Sequence, residues 1–195
     1  DRFSSQGGSI YGSTSLHNFS INWQGTTESA FYVLSNPPGI AWWLAPVAQQ
    51  SVVWMHLWML PWLLLAAWGA ARLGERFGGH PAAAILLLCG APISVISSQA
   101  LTPDLPLLAL TLAGMGGLLS SPPTARTLFA FVLGCTTLFR YSGLALLPLL
   151  LLIPCRAQER WHLLIAGCTP IAALMLHDVF AYGEIHLIAM MGFQS

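Results

Sequence analysis

The sequence contains little charge and no lysine. Charged residues make up 7% of the 195-residue chain, and its seven basic residues are all arginine. Typical soluble domains contain about 25% charged residues, so this composition does not supply enough charge to cover a water-facing surface. The formal net charge is zero, which excludes a basic surface for nucleic acids. Hydrophobic residues instead make up 55% of the chain, and this composition predicts an all-α integral membrane protein.

Recognisable catalytic and metal-binding motifs are also missing from the sequence. It contains no phosphate-binding glycine loop, no nucleophile elbow, no metalloprotease motif and no CxxC zinc spacing. Its four cysteines lie in or beside apolar runs, at positions 89, 135, 155 and 168, as expected of small packing residues. Any chemistry must therefore come from isolated polar residues.

Six apolar runs follow a polar N-terminal segment. They cover residues 51–72, 82–101, 103–119, 127–139, 141–154 and 161–178. A helix that crosses a membrane needs roughly 20 residues, within a range of about 17–25. The fourth and fifth runs are short, and they could instead form one span interrupted at Arg140. The sequence predicts a polytopic transmembrane helix bundle over 51–178, and the number of spans depends on this choice.

The arginines favour about six spans. Cytoplasmic loops are enriched in lysine and arginine, and six spans place five arginines on one side, namely Arg72, Arg76, Arg126, Arg156 and Arg160. Joining the fourth and fifth runs into one span would place Arg156 and Arg160 on the opposite side from Arg126. The segment 1–50 and the tail 179–195 then lie on the non-cytoplasmic side. We expect this side to be the periplasmic face of a bacterial inner membrane.

The N-terminal segment 1–50 is predicted to be a non-cytoplasmic loop with juxtamembrane helices. Residues 1–25 are rich in serine, glycine and asparagine, which is typical of loops. A short helix over 28–34 would end before the prolines that follow it. Residues 39–47 are apolar and aromatic but too short to span a membrane, so an interfacial helix fits them better.

Asp104 and Arg140 are the candidate functional residues within the apolar region. Asp104 begins a predicted helix, where it either caps the positive end of the helix dipole or serves as a functional carboxylate at the membrane edge. Arg140 interrupts an apolar stretch between Phe139 and Tyr141, and burying its charge requires a partner. It either binds an anion such as a phosphate in bidentate fashion or reaches out to lipid headgroups.

His177 and Asp178 end the last apolar run. A histidine beside an aspartate is typical of metal binding or acid–base chemistry, although a single adjacent pair is more often neither. A divalent metal ion is the one cofactor that these residues leave open.

Three segments resemble motifs of the GT-C superfamily of polytopic glycosyltransferases. The likeness is to the branch containing protein O-mannosyltransferases and the lipid A aminoarabinose transferase. The segments are Asn36–Leu44 (NPPGIAWWL), Thr102–Leu108 (TPDLPLL) and Phe139–Gly143 (FRYSG), the last followed by a leucine-rich run. Their order along the chain is similar to that of the family, and together they extend over most of residues 30–155.

The resemblance implies that a sugar is transferred from a polyprenyl-phosphate donor on the non-cytoplasmic side. It implies that Asp1 is the general base on the acceptor hydroxyl, and that Asp104 is a second acidic residue that helps to bind acceptor or donor. Arg140, with Tyr141 beside it, would contact the lipid phosphate. Family members are much longer, and we expect this chain to be an N-terminal portion that begins after a first helix. Arg2 stands where the family usually has a second acid.

Two other functions compete with this interpretation. A non-catalytic transmembrane subunit of a larger respiratory or photosynthetic complex would explain the truncated appearance and the many tryptophans, and it would have other membrane subunits as partners. A transporter is disfavoured because intramembrane charges are few and no inverted repeat is evident. Membrane lipids are expected partners in every case.

Overall fold

The computed structural model describes residues 37–92, 100–182, 185 and 187. The expectations for Asp1, for the loop 1–36 and for most of the tail lie outside the described residues. The described part forms seven α-helices: α1 Gly39–Leu44, α2 Val52–Trp58, α3 Leu60–Arg76, α4 Pro81–Gly90, α5 Asp104–Ser120, α6 Pro123–Gly134 and α7 Ala157–Tyr182. Three 3₁₀ segments complete it, over Ala45–Val47, Cys135–Leu138 and Tyr141–Leu152.

Within the described residues the protein is helical and has no strand, which confirms the all-α prediction. Two stretches are long and apolar enough to cross a membrane, Val52–Arg76 and Ala157–Phe180. In the most apolar 18-residue part of each stretch, only 22% and 33%, respectively, is buried within the molecule. A bundle of six spans remains a prediction.

The helices extend beyond some of the apolar runs that predicted them. α3 continues four residues past the predicted end at 72, and α7 begins four residues before the predicted start at 161. Glutamate and arginine, which are good helix formers, occupy these extensions. The apolar runs therefore delimit the apolar part of each helix and not the helix itself.

The chain breaks its helical path at Arg140. α6 continues into the 3₁₀ segment Cys135–Leu138, and Arg140 then adopts an extended backbone with φ −148° and ψ 137°. The next segment, Tyr141–Leu152, is a 3₁₀ helix of 12 residues. Because a 3₁₀ helix rises about 2.0 Å per residue, it reaches about 24 Å, further than an α-helix of the same length.

Glycines allow the helices to approach closely at two crossings. A Cβ atom added to Gly69 of α3 would collide with the backbone of Leu112 and Ala113 in α5. One added to Gly134 of α6 would collide with the carbonyl oxygen of Gly167 in α7. Small residues at such crossings bring helix backbones together, which is how helices associate when lipid surrounds them.

The two ends of α5 lie in different apolar clusters, which define two ends of the bundle. The cluster at the Asp104 end contains Ile40, Leu44, Met59, Leu105, Leu110 and Phe139. The cluster at the Arg126 end contains Leu118, Ala130, Leu133, Leu150, Ile153 and Leu163. The 17 residues of α5 separate the two ends by about 25 Å at 1.5 Å per residue.

An ion pair and several hydrogen bonds at the Arg126 end connect α3 with α5 and α6 with α7. Arg126 of α6 contacts Glu159 of α7 at 3.3 Å, and it also donates to the carbonyl oxygens of Ser121 and Pro154. The Ser120 hydroxyl, at the end of α5, donates to the carbonyl oxygen of Arg72 in α3. Arg72 and Arg126 therefore lie at the same end of the bundle.

Candidate functional site

The Asp104 end contains an ion pair between two residues that the sequence singled out. Nη1 of Arg140 donates to Oδ1 of Asp104. The two side chains are 42% and 44% exposed, respectively. The partner that the charge of Arg140 requires is therefore the carboxylate at the start of α5. The sequence named both residues but did not predict that they pair.

The local sequence explains how α5 presents this carboxylate. Pro103 is the N-cap residue and Asp104 is the first residue of α5. Pro106 lacks an amide hydrogen, which costs nothing within the first turn because those amides have no intrahelical acceptor. Leu105 is 1% exposed and anchors the turn in the apolar cluster. The carboxylate of Asp104 is thereby left at the end of the bundle.

Arg140 is held by its neighbours rather than by a regular helix. Its amide donates to the carbonyl oxygen of Thr136, and its carbonyl accepts from the amide of Gly143. Phe139 is buried and packs edge-on against Trp62, with ring centroids 5.2 Å apart. A buried anchor on one side and an extended backbone at Arg140 leave its guanidinium half exposed.

The proline-rich segment before α1 lies beside this element. Pro37 is buried, and a Cβ atom added to Gly39 would collide with the carbonyl oxygen of Leu138. The start of α1 therefore packs directly against the residues that precede Arg140. The described parts of the three motif segments thus meet at the Asp104 end of the bundle.

Two tryptophans hold α1 against α2 by reciprocal hydrogen bonds. The indole N–H of Trp43 donates to the carbonyl oxygen of Trp58 at 3.2 Å, and the indole N–H of Trp58 donates to the carbonyl oxygen of Trp43 at 2.8 Å. Trp62 packs edge-on against Trp43 at 4.8 Å. The aromatic residues of the proline-rich motif are therefore structural anchors for α1.

His177 and Asp178 bring the end of α7 to the same place. The ring of His177 contacts Trp42 edge-on, with centroids 5.3 Å apart, and its Nδ1 lies 3.5 Å from Oδ1 of Asp178. Asp178 is only 2% exposed and interacts electrostatically with Tyr141. The burial of Asp178 gave no signal in the sequence, because an aspartate at the end of an apolar run is usually exposed.

A metal site at His177 and Asp178 has no support among the described residues. Among them, no group of three or more histidine, cysteine, aspartate or glutamate side chains is placed to hold a metal ion. His177 and Asp178 therefore have no third ligand within the part of the chain that the structure describes.

Comparison with protein-family models, with curated proteins and with solved structures gave no match to this chain. The likeness to the GT-C superfamily therefore rests on the three sequence segments alone.

The site combines a half-exposed cation, its carboxylate partner and an apolar surround. A guanidinium has five N–H donors in a fixed fork, and the contact with Asp104 uses one N–H-bearing nitrogen, so Arg140 has donors that can bind an anionic group. Tyr141 is half-buried next to it and has a phenolic hydroxyl that can donate a hydrogen bond. This arrangement suits an anionic headgroup attached to an apolar chain.

Proposed function

We propose that this chain is a GT-C-type membrane glycosyltransferase, or the N-terminal portion of one, that transfers a sugar from a polyprenyl-phosphate donor on the non-cytoplasmic face of a membrane. The observation that carries the proposal is the ion pair between Arg140 and Asp104 at the end of the bundle where the proline-rich segment also packs. These residues belong to the three segments that resemble the superfamily.

Membrane insertion is supported by the exposure of the two longest apolar stretches. Large apolar side chains on their surfaces include Leu64 at 70% and Phe180 at 86% exposed. A core helix of a soluble protein would be mostly buried, and exposed apolar surface of this extent favours contact with lipid. We propose six spans with the Asp104 end on the non-cytoplasmic side, because the Arg126 end carries the arginines expected in cytoplasmic loops.

The charge and hydrogen-bonding capacity of each side chain suggest its role in the proposed transfer. Arg140 binds the phosphate that joins the sugar to the polyprenyl carrier, and its positive charge stabilises the negative charge that develops on the departing phosphate. Tyr141 adds a hydrogen bond to the same phosphate. Asp104 helps to bind the acceptor or the donor. Asp1, the proposed general base that removes the proton of the acceptor hydroxyl, belongs to the segment outside the described residues.

Transfer from a radiolabelled polyprenyl-phosphate sugar tests the proposal directly. The product of the full reading frame is assayed in membranes, with Arg140→Gln and Asp104→Asn as test variants and Glu159→Gln as the matched control. Glu159 belongs to an interhelical ion pair at the opposite end, so its variant reports the effect of losing a pair without touching the site.

We expect transfer by the wild-type protein and by Glu159→Gln, and a loss of at least about tenfold for Arg140→Gln, since a hydrogen bond to a charged group is worth about 1.5–3 kcal/mol. Absence of transfer with every donor, together with co-purification in a pigment- or haem-containing assembly, would instead favour the non-catalytic subunit.

A further inference from the structure

Two ion pairs join different helices or segments in the described structure, and they differ in how firmly they are held. Arg126 is 22% and Glu159 18% exposed, and Arg126 donates to two backbone carbonyl oxygens as well. Arg140 and Asp104 are about twice as exposed, and one contact, from Nη1 to Oδ1, joins them. An exposed ion pair contributes little to stability. The ion pair at the Asp104 end can therefore separate at a small cost in free energy.

An anion that binds the guanidinium of Arg140 lies close to the carboxylate of Asp104, which already contacts that guanidinium. A phosphate takes two N–H groups of an arginine in its preferred bidentate geometry, and Asp104 already accepts from Nη1. The negative charges of a phosphate and a carboxylate at one cation repel each other. Binding of the phosphate and the contact with Asp104 are consequently antagonistic, and the coupling between them is reciprocal.

We propose that Asp104 is a displaceable counter-ion of Arg140. The phosphate of a polyprenyl-phosphate donor takes the place of Asp104 on the guanidinium, and donor binding thereby frees the Asp104 carboxylate. This inference rests on the proposed function for the identity of the donor. Of the two roles proposed for Asp104, it favours binding of the acceptor and not of the donor. It also adds an order to the reaction, because the Asp104 carboxylate becomes available to the acceptor only after the donor is bound.

The exchange predicts opposite effects of one substitution on binding and on turnover. Asp104→Asn keeps the size of the side chain but removes the competing negative charge, so polyprenyl phosphate should bind more tightly. The same substitution should lower kcat, because an amide cannot replace the released carboxylate. A purely structural pair would lower donor affinity and kcat together, since its loss would disorder Arg140.

Titration with undecaprenyl phosphate measures the exchange without any turnover. The full-length protein is reconstituted in phosphatidylcholine nanodiscs, and binding is followed by native mass spectrometry for the wild type, Asp104→Asn, Asp104→Glu, Arg140→Gln and the control Glu159→Gln. Parallel titrations with inorganic phosphate and with phosphatidic acid distinguish a polyprenyl phosphate from a free anion and from a common phospholipid.

We expect the Kd of Asp104→Asn to fall about two- to fivefold, the range that an exposed ion pair provides. Arg140→Gln should bind at least about tenfold more weakly, and Asp104→Glu and Glu159→Gln should bind like the wild type. Equal or weaker binding by Asp104→Asn, with an unchanged thermal midpoint, would overturn the inference. If Asp104→Asn does not fold, Asp104→Ser provides the same comparison.

The results separate this inference from the proposed function. Tighter binding by Asp104→Asn in a protein that transfers no sugar would support the exchange and refute the transferase. Sugar transfer by the wild type without any gain in affinity for Asp104→Asn would refute the exchange and leave the transferase standing. Unchanged binding by Arg140→Gln would overturn the exchange, because the phosphate would not then bind the guanidinium.

Discussion

The crossing of α6 and α7 gives a stability prediction that can be worked out in detail. A Cβ atom at position 134 would collide with the backbone carbonyl oxygen of Gly167, which cannot rotate away. A Cβ atom at position 167 would instead meet Cδ1 of Leu150, the far end of a flexible side chain. Overpacking at a rigid contact typically costs about 1–3 kcal/mol. Gly134→Ala should therefore destabilise the protein by about this amount, and Gly167→Ala by less.

Gly90 in α4 is the matched control for this substitution. Among the residues that the structure describes, no atom lies within 4 Å of a Cβ built there, so Gly90→Ala should change the free energy of unfolding by less than about 0.5 kcal/mol. Thermal unfolding in detergent, followed by far-UV circular dichroism, should lower the midpoint of Gly134→Ala by roughly 2–12 °C. If the three variants unfolded at one temperature, the close approach of α6 and α7 would be wrong.

Two further substitutions test the two ends of the bundle. Arg126→Gln should lower the free energy of unfolding by about 1–3 kcal/mol, because it removes a partly buried ion pair and charged hydrogen bonds to two carbonyl oxygens. The control Glu75→Gln removes an exposed ion pair and should change the free energy of unfolding by less than about 0.5 kcal/mol. Thermal midpoints measure both effects, and equal effects would show that the two ion pairs do not differ in strength. Trp43→Phe should cost about 0.5–1.5 kcal/mol by removing the hydrogen bond to the Trp58 carbonyl. Limited proteolysis should then cut the α1–α2 connection faster than in the wild type, and an unchanged cleavage rate would show that the bond does not hold α1.

The helical class of the protein was predicted from composition, because a chain with so little charge was expected to lie in a membrane as helices. The helices overlap the apolar runs, but the ends of the helices do not coincide with the ends of the runs. α3 and α7 both continue through charged residues, because helix propensity and apolar character are separate properties. The form of the segment Tyr141–Leu152 could not be predicted either, because an apolar run has the same pattern whether it folds as a 3₁₀ helix or an α-helix.

The candidate site was predictable as a set of residues but not as a set of contacts. Arg140 needed a counter-ion, and the predicted topology placed Asp104 on the same side of the membrane, so the pairing of the two residues could have been predicted from the sequence. The contact between Trp42 and His177 was not, because it joins positions 135 residues apart and depends on how α1 packs against α7. The burial of Asp178 likewise depends on that packing and not on its neighbours in sequence.

We propose that the Asp104 end and the Arg126 end lie on opposite sides of a membrane. Ser142, two residues after Arg140, and Thr124, two residues before Arg126, are both exposed. Ser142→Cys and Thr124→Cys, each made in a background without the four native cysteines, can be labelled with a membrane-impermeant maleimide in intact cells. We expect Ser142→Cys to react in intact cells and Thr124→Cys to react only after permeabilisation. Labelling of both positions in intact cells, or of neither, would contradict it.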